Sequence, residues 1–279
     1  MNQTIQFAKM HGLGNDFVVI DAIHQPIVVS ALPIKQLGDR HIGIGFDQLL
    51  IIQSSIKAEV RCLIFNADGS EAEQCGNGIR CVTRFIYDQC LSSKKAFSIE
   101  TKSGIVKTTY IDPSRIQVEM GVPIFRPDLI PIQKEWTLQK KALYEIMTST
   151  NQQVTFFALS MGNPHAIILV DSIEQYPVAL SAASIAHHKA FPQGINIGFV
   201  EIINADHIRL RTYERGVGET LSCGSNACAA VVAGIQQGLL AKKVTVVLPL
   251  GELLIEWLGD DQPVLMTGPA EVVFFGQLR

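Results

Sequence analysis

The chain of 279 residues is long for one domain and fits two domains of about 100 to 150 residues each. Hydrophobic residues make up 47% and charged residues 18%, which is typical of an ordered globular protein, and a net charge of −3 offers no basic surface for nucleic acid. The N-terminus lacks the pattern of a signal peptide, and no apolar run approaches the roughly 18 residues of a membrane span. We therefore expect a cytoplasmic protein that acts on a small molecule and binds neither nucleic acid nor a membrane.

Apolar and β-branched runs predict buried strands at 17–20, 48–52 and 166–170. Segments 97–121 and 244–268 predict two matching hairpins, with turns near Asp112-Pro113-Ser114 and Gly259-Asp260-Asp261. Between them, the stretch from Gly121 to about Gln152 is rich in proline at its start and predicts a linker followed by one helix.

Two helices are predicted, from about Asn77 to Cys90 and from about Ser225 to Gln236. The first is amphipathic, with its apolar residues on one face and polar residues such as Arg80 and Thr83 on the other. The second is apolar nearly all round, which is typical of a fully buried helix. A sheet curled around one central helix would bury it, so we expect an α/β (α+β) fold with curled mixed sheets.

Six cysteines in a chain without an export signal argue against a disulfide framework. The spacings Cys75-x5-Cys81 and Cys223-x4-Cys228 miss the short spacing of structural zinc sites, so no metal is expected. Four of the six are expected to be small buried hydrophobic residues: Cys62, Cys81, Cys90 and Cys228.

The chain repeats its own pattern at an offset of 148 residues. Asn15 lies 60 residues before Cys75, and Asn163 lies 60 residues before Cys223; each asparagine follows a glycine, and each cysteine precedes one. The offset also aligns Phe65 with Tyr213, Asn66 with Glu214 and Glu71 with Glu219, and it drops to 147 where Cys81 is aligned with Cys228, Gly104 with Gly251 and Gly121 with Gly268. A long-period repeat indicates a duplicated unit. We expect two homologous halves, 1–121 and 122–268, that each bring one cysteine to a shared site.

Cys75 and Cys223 each precede a predicted helix. A helix N-terminus stabilises a thiolate, so both thiols are predicted to act as bases near neutral pH. The segments Gly76-Asn77-Gly78 and Gly224-Ser225-Asn226 leave backbone N–H groups that can hold a carboxylate. If both helix ends held one carboxylate, the sulfurs would face the two sides of its α-carbon. One thiolate would remove the α-proton while the other thiol returned a proton from the opposite side.

Five motifs carry a family resemblance: 10–17 (MHGLGNDF), 65–71 (FNADGSE), 75–81 (CGNGIRC), 162–165 (GNPH) and 211–216 (RTYERG). They are similar to the motifs of the diaminopimelate epimerases, cofactor-independent enzymes that interconvert LL- and meso-diaminopimelate in lysine and peptidoglycan synthesis. The resemblance covers essentially the whole chain. It implies two pseudo-symmetric α/β domains, with the tail 269–279 returning to the first, no cofactor or metal, and a homodimer.

The resemblance also implies residue roles. Cys75 and Cys223 match the acid/base pair, and His165 and Glu214 match groups that manage their protons. Substrate binding is implied for Asn15, Gln48, Asn66, Asn163, Asn196, Glu214 and Arg215. The backbone of Gly76-Asn77 and of Gly224-Ser225 is implied to hold the reacting carboxylate. A substrate with a second zwitterionic end needs both an acid and a base to receive it, and Glu214-Arg215 supply them. The chain departs from the family where Cys223-Gly224-Ser225-Asn226 replaces the more frequent Cys-Gly-Thr-Gly.

Three other functions remain open at this point. A proline-type racemase could carry the same thiol pair, although those enzymes commonly have histidine where this chain has Asn77. A thiol redox protein could cycle Cys75 and Cys223 through a disulfide, although the chain lacks Cys-x-x-Cys. The third is a non-catalytic amino-acid-binding protein, although two reactive thiols would be a disadvantage in such a protein.

Overall fold

The computed structural model describes residues 4–133, 142–149 and 151–278. The chain forms two compact units, Met1–Glu119 with Thr267–Arg279, and Met120–Met266. Within the described residues, no helix combines the length and apolar character that crossing a membrane requires.

The elements confirm a mixed α/β fold with few helices. The strands are β1 (Ile5–Gly12), β2 (Asn15–Asp21), β3 (Gln48–Gln53), β4 (Val60–Asn66), β5 (Ala96–Thr101), β6 (Gly104–Asp112), β7 (Arg115–Glu119), β8 (Leu143–Met147), β9 (Gln153–Ser160), β10 (Pro164–Leu169), β11 (Asn196–Asn204), β12 (His207–Glu214), β13 (Gly218–Thr220), β14 (Lys243–Leu248), β15 (Gly251–Glu256), β16 (Leu265–Gly268) and β17 (Glu271–Leu278). The helices are α1 (Ile34–Gly38), α2 (Gly76–Asp88), α3 (Val178–Ala186) and α4 (Gly224–Gln236), and short 3-10 turns lie at Val29–Ala31 and Pro127–Leu129.

The first unit is a mixed sheet wrapped around α2. Its strands pair in the order β17, β1, β2, β3, β4, β5, β6, β7; the β2–β3 and β4–β5 pairs are parallel and the others antiparallel. Helix α2 packs on β1, β2, β3, β6 and β7, that is, on strands from both ends of this order. The sheet therefore curls around the helix, as the sequence predicts.

The second unit repeats this arrangement around α4. Strands β8, β9, β10, β11, β12, β14 and β15 pair in that order, with β10–β11 and β12–β14 parallel, and β13 pairs antiparallel with β12. Helix α4 packs on β9 to β12, β14 and β15. Its middle turns are wholly buried, which confirms the predicted buried helix.

Cross-strand partners repeat between the units at the offset found in the sequence. The equivalent pairs are Phe17–Gln48 and His165–Asn196, Leu49–Phe65 and Ile197–Tyr213, Phe65–Glu71 and Tyr213–Glu219, and Val60–Ile99 and Ile208–Val246. A one-residue slip would move every side chain to the other face of a strand, so identical registers place equivalent residues on equivalent faces.

The change of offset from 148 to 147 corresponds to a deletion of one residue, which lies after the helices. Both helices begin and end at residues 148 apart, and the offset persists to Cys90 and Gly238, which follow the helix ends with φ of 55° and 74°. The offset becomes 147 only at the starts of β5 and β14. The alignment of Cys81 with Cys228 was therefore wrong, because Cys81 is equivalent to Ala229.

The polar face of α2 is not a solvent face, unlike that of an ordinary amphipathic helix. Arg80 and Thr83 are fully buried. Arg80 Nε donates to the Pro269 carbonyl at 3.0 Å, and Thr83 Oγ1 lies 2.6 Å from the Thr108 hydroxyl. Because strands surround the helix, its polar side chains find partners inside the unit.

Other details also differ from the expectations. Segment 97–121 holds three strands, β5 to β7, although the predicted turn at Asp112-Pro113-Ser114 does join β6 to β7. The stretch predicted as linker plus helix contains the turn Pro127–Leu129 and strand β8, and its remainder at 134–141 lies outside the described residues. Cys62, Cys81 and Cys228 are buried as expected, but Cys90 is exposed because it occupies the left-handed position after a helix end.

The two units fill the contact between helix and sheet in opposite ways. Leu50 on β3 is equivalent to Gly198 on β11, and Gly78 on α2 is equivalent to Asn226 on α4. A Cβ on Gly78 would lie 3.3 Å from the Leu50 side chain, and one on Gly198 would lie 2.4 Å from Asn226 Oδ1. In the first unit the strand therefore supplies the large side chain and the helix supplies the glycine. In the second unit the strand supplies the glycine and the helix supplies the large side chain.

Candidate active site

Cys75 is the N-cap of α2, in an extended conformation with φ of −147°. Its sulfur accepts a hydrogen bond from the Gly78 N–H at 3.4 Å and lies 3.8 Å from Asn15 Oδ1, to which the thiol donates. The side chain is only partly buried. The Gly78 N–H donor stabilises the thiolate and the Asn15 oxygen accepts from the thiol, so the local contacts accommodate both protonation states.

The asparagines beside Cys75 hold each other. Asn77 Nδ2 donates to Asn15 Oδ1 at 3.3 Å, and Asn15 Nδ2 donates to Asp47 Oδ2 at 2.8 Å. Asp47 was missed by the sequence prediction, because its equivalent in the other half is Ile195 and the repeat gives no signal there. Its position immediately before the predicted site residue Gln48 was the available hint.

Gln48 and Asn66 lie opposite each other at the ends of β3 and β4. Gln48 Nε2 donates to Asn66 Oδ1 at 2.9 Å, and Asn66 Nδ2 donates to Ser70 Oγ at 3.0 Å. Gln48 Oε1 is buried without a hydrogen-bond partner among the described residues. A buried acceptor of this kind is ready to receive a donor from a ligand.

Cys223 is the N-cap of α4 and is buried. Its sulfur lies 3.4 Å from Ser225 Oγ, and the Asn226 N–H and the Glu214 carboxyl are near enough to affect its charge. Burial, and then the charge of Glu214, raise the pKa of the Cys223 thiol well above its usual range, against the lowering effect of Ser225 and the Asn226 N–H. The expectation that Cys223 is a base near neutrality is therefore wrong for this state, in which it is a neutral thiol. Desolvation and a neighbouring carboxylate outweigh the helix N-terminus.

His165 is fully buried at the start of β10. Its Nε2 lies 2.9 Å from Asn163 Oδ1, so this nitrogen carries the proton. Burial, and then the charge of Arg215, lower the pKa of His165 to about 3, so the ring is neutral at physiological pH. Its Nδ1 has no hydrogen-bond partner in the described parts of the chain.

The remaining predicted residues of this unit lie around the end of β12. Asn196 is buried and is held by main chain, since its Oδ1 accepts from the Arg215 N–H at 3.0 Å and its Nδ2 donates to the Pro164 carbonyl at 3.0 Å. Glu214 Oε1 accepts from Thr220 Oγ1 at 2.5 Å. The exposed Arg215 guanidinium donates to the Gln193 carbonyl at 2.9 Å. Asn196 thus orders the loop that carries Arg215.

The surroundings of the two sulfurs are similar in place and different in charge. Each sulfur belongs to a helix N-cap residue and has a side-chain oxygen near it, from Asn15 in one unit and Glu214 in the other, and the N–H of the residue three positions later bonds Cys75 and lowers the pKa of Cys223. Each unit thus presents a thiol that can gain or lose a proton beside helix N–H groups that favour an anion.

A family model described as diaminopimelate epimerase matches residues 7–126 and 157–273. The chain is 49% identical over 277 residues to the diaminopimelate epimerase of Stutzerimonas stutzeri, with 99% of each chain covered. It is 46% identical over 275 residues to that of Nitrosomonas europaea, with 98% of each covered.

Solved structures with low sequence identity share the fold. A hydroxyproline epimerase from Agrobacterium vitis, with bound trans-4-OH-L-proline, superposes with a TM-score of 0.71 at 14% identity, covering 99% of this chain and 93% of the other. A Bacillus anthracis protein of the PhzF family gives 0.69 at 16% identity, covering 99% of each. The fold alone is common to several activities, whereas the sequence similarity is specific, and the chain belongs to the diaminopimelate epimerase family.

Proposed function

We propose that this chain epimerises diaminopimelate by a two-base mechanism in which Cys75 and Cys223 act on opposite faces of one α-carbon. Epimerisation of LL- to meso-diaminopimelate, a step of lysine biosynthesis, is the activity of the family to which it belongs. The observation that carries the mechanism is the duplicated arrangement of the two sulfurs, each on the N-cap residue of an enclosed helix and each with a side-chain oxygen near it. A reducing compartment such as the cytoplasm would keep both thiols available.

The charge difference between the two thiols suggests their starting roles. Because Glu214 and burial favour the neutral form of Cys223, it begins as the acid. Cys75, between a donor and an acceptor, begins as the base that removes the α-proton. The first-turn N–H groups of both helices, from Gly76-Asn77 and Gly224-Ser225, stabilise the enolate-like charge on the substrate carboxylate. The reverse reaction exchanges the two roles.

His165 is assigned an orienting role in this mechanism. A ring whose pKa lies at about 3 holds a proton poorly near neutrality, so it is unsuited to storing protons between turnovers. Its bond to Asn163 instead fixes the side chain that the family resemblance assigns to substrate binding.

Substrate binding is proposed for the polar residues at the ends of the strands around each helix. Glu214 and Arg215 would receive the ammonium and carboxylate of the distal, non-reacting end. The other residues proposed to contact substrate are Asn15, Gln48, Asn66, Asn77, Asn163 and Asn196. The buried Gln48 Oε1, without a partner among the described residues, is suited to accept from a substrate ammonium.

We predict that deuterium enters the product before the substrate. In deuterated water the newly formed epimer should carry deuterium at the inverted carbon from the first turnovers, because the acid thiol exchanges with solvent. Recovered substrate should stay largely protiated, since its proton remains on the opposite thiol. Mass spectrometry of both epimers at low conversion measures this.

Single thiol variants complete that test. Cys75→Ser and Cys223→Ser should each lose nearly all epimerisation, while Cys62→Ser serves as a matched control with near-normal rates. Equal deuteration of substrate and product at early times, or substantial epimerisation by either variant, would show that the two-base mechanism is wrong.

We predict that Glu214→Gln makes Cys223 reactive at lower pH. The carboxylate raises the pKa of the thiol by disfavouring the anion, so removing its charge lowers that pKa and the thiolate forms earlier as pH rises. The rate of Cys223 alkylation by iodoacetamide against pH, read by peptide mass spectrometry, measures the change. Glu219→Gln, on neighbouring β13, is the control and should leave the profile unchanged. An unaltered profile in Glu214→Gln would show that Glu214 does not control the pKa of the Cys223 thiol.

We predict that Arg215→Ala selectively weakens use of diaminopimelate. Loss of a charge that pairs with a desolvated substrate carboxylate costs about 2 to 5 kcal/mol in transition-state binding. Steady-state kcat/KM should fall accordingly, while alkylation of Cys75 and Cys223 stays unchanged. Arg209→Ala, on the β12 strand that precedes Arg215, is the control and should behave as wild type. Normal kcat/KM in Arg215→Ala would show that this arginine is an ordinary surface residue that does not bind the substrate.

We further propose that the protein is a homodimer, as its family resemblance implies. In support, β17 pairs with β1 and exposes the consecutive apolar side chains Val273, Phe274 and Phe275. An apolar edge strand is a surface that proteins usually cover. Sedimentation velocity should give a dimer at micromolar concentration, and Phe275→Lys should shift it toward monomer. A wild-type monomer at that concentration would contradict the proposal.

A further inference from the structure

Two charged residues terminate the chain of amides beside Cys75. At one end, Arg80 Nη1 donates to Asn77 Oδ1 at 2.9 Å. Asn77 Nδ2 then donates to Asn15 Oδ1 at 3.3 Å, and Asn15 Nδ2 donates to Asp47 Oδ2 at 2.8 Å. The order is therefore guanidinium, amide, amide, carboxylate, with every donor facing an acceptor.

The charged ends fix which way each amide points. A guanidinium only donates, so the oxygen of Asn77 must face Arg80 and its nitrogen must face Asn15. A carboxylate only accepts, so the nitrogen of Asn15 must face Asp47 and its oxygen must face inward. Turning either amide over would set donor against donor or acceptor against acceptor. As a result, Asn15 always offers its oxygen to the Cys75 thiol, 3.8 Å away.

Asp47 is itself held in place. Its Oδ2 also accepts from the Asp16 N–H at 3.1 Å, and its Oδ1 accepts from Arg40 Nη2 at 2.9 Å. Arg40 bonds Asp16 as well, and so does Lys9. Despite the opposing effect of burial, these two cations lower the pKa of Asp16 to about 2, so the Asp16–Arg40 pair that supports Asp47 stays ionised above that pH.

We propose that Asp47 is a positioning residue that, opposite Arg80, sets the amide orientation of Asn15 and thereby keeps a hydrogen-bond acceptor on Cys75. This rests on the proposed catalytic role of Cys75. The bond to Asn15 holds the proton on the sulfur until substrate displaces Asn15 and the proton leaves to solvent; the Gly78 N–H, which is bonded to the same sulfur, then stabilises the anion. The other unit lacks this arrangement, since Ile195 replaces Asp47 and the oxygen of Asn163, the equivalent of Asn15, is bonded to His165.

Two substitutions of Asp47 separate orientation from charge. Asp47→Ala removes both the acceptor and the charge, whereas Asp47→Asn removes the charge and keeps a carbonyl oxygen that can accept from Asn15 Nδ2. Asp47 is exposed, so both variants are expected to fold. Arg80 is unsuitable for this test because it is fully buried and also bonds the Pro269 carbonyl.

In Asp47→Ala we expect the pH profile of Cys75 alkylation by iodoacetamide to move to lower pH, because the thiol has lost its fixed acceptor. Peptide mass spectrometry in a Cys90→Ser background isolates Cys75 from the exposed thiol. Misplacing a reacting group by about 1 Å costs up to about 100-fold, so kcat/KM should fall about 10- to 100-fold, with the loss mainly in kcat. Asp47→Asn should recover both readouts to within about threefold of wild type.

Three outcomes would overturn the proposal. Equal defects in Asp47→Asn and Asp47→Ala would mean that the charge of Asp47 acts and that orientation does not. An unchanged alkylation profile in Asp47→Ala would mean that Asn15 keeps its orientation without Asp47. A defect in KM alone would assign Asp47 to substrate binding. Failure of the proposed function itself is recognised separately, by epimerase activity in Cys75→Ser.

Discussion

The enclosure of a helix by a curled sheet is the constraint on which the rest of this structure depends. Because strands from both ends of each sheet cover the helix, its N-terminus has a fixed position, and the capping sulfur is fixed with it. The same enclosure removes water from around the buried Cys223 and part of it from around Cys75. Helix N–H groups and strand side chains then decide the charge of the sulfur, since interactions in a dry environment are stronger than in solvent.

Duplication supplies two such caps, and divergence has made them unequal. The strand residue beside the first sulfur is an amide, whose neutral oxygen favours a thiol only weakly. The residue beside the second is a carboxylate, which strongly disfavours a second negative charge. A reaction that needs one acid and one base benefits from this difference, because two identical thiols would both ionise or both stay protonated at a given pH.

The sequence allowed prediction of the periodic features and of the residues in motifs. Strand β3, helix α4 and the turn after β6 follow from local patterns that bury apolar side chains or bend the chain. Long-range burial was not predictable in the same way. Arg80 carries a charge that usually lies in solvent, and only the strands around α2 reveal its internal partners. The position of the one-residue deletion likewise required the helix ends, because two chance-aligned cysteines mimicked homology.

The state of Cys223 shows why the site is harder to predict than the fold. A helix N-terminus can be recognised from the sequence, but the desolvation of one sulfur and its distance from Glu214 depend on the packing of α4 against the sheet. Asp47 was missed for a related reason. It contacts Asn15 across 32 positions of the chain, and apart from its place beside Gln48 nothing in its neighbourhood distinguishes it from an ordinary loop carboxylate.

The exchange of glycine and large side chain between strand and helix has an evolutionary consequence. Recombination between the two duplicated halves, with a crossover between β3 and α2 or between β11 and α4, would join Leu50 to Asn226 or Gly198 to Gly78. The first chimera would place two bulky groups where one fits, and the second would leave a void at the buried end of the helix. Gene conversion that made the two halves alike on only one side of this contact would therefore destabilise the fold. Steric incompatibility between the halves protects the chemical asymmetry that the duplication later acquired.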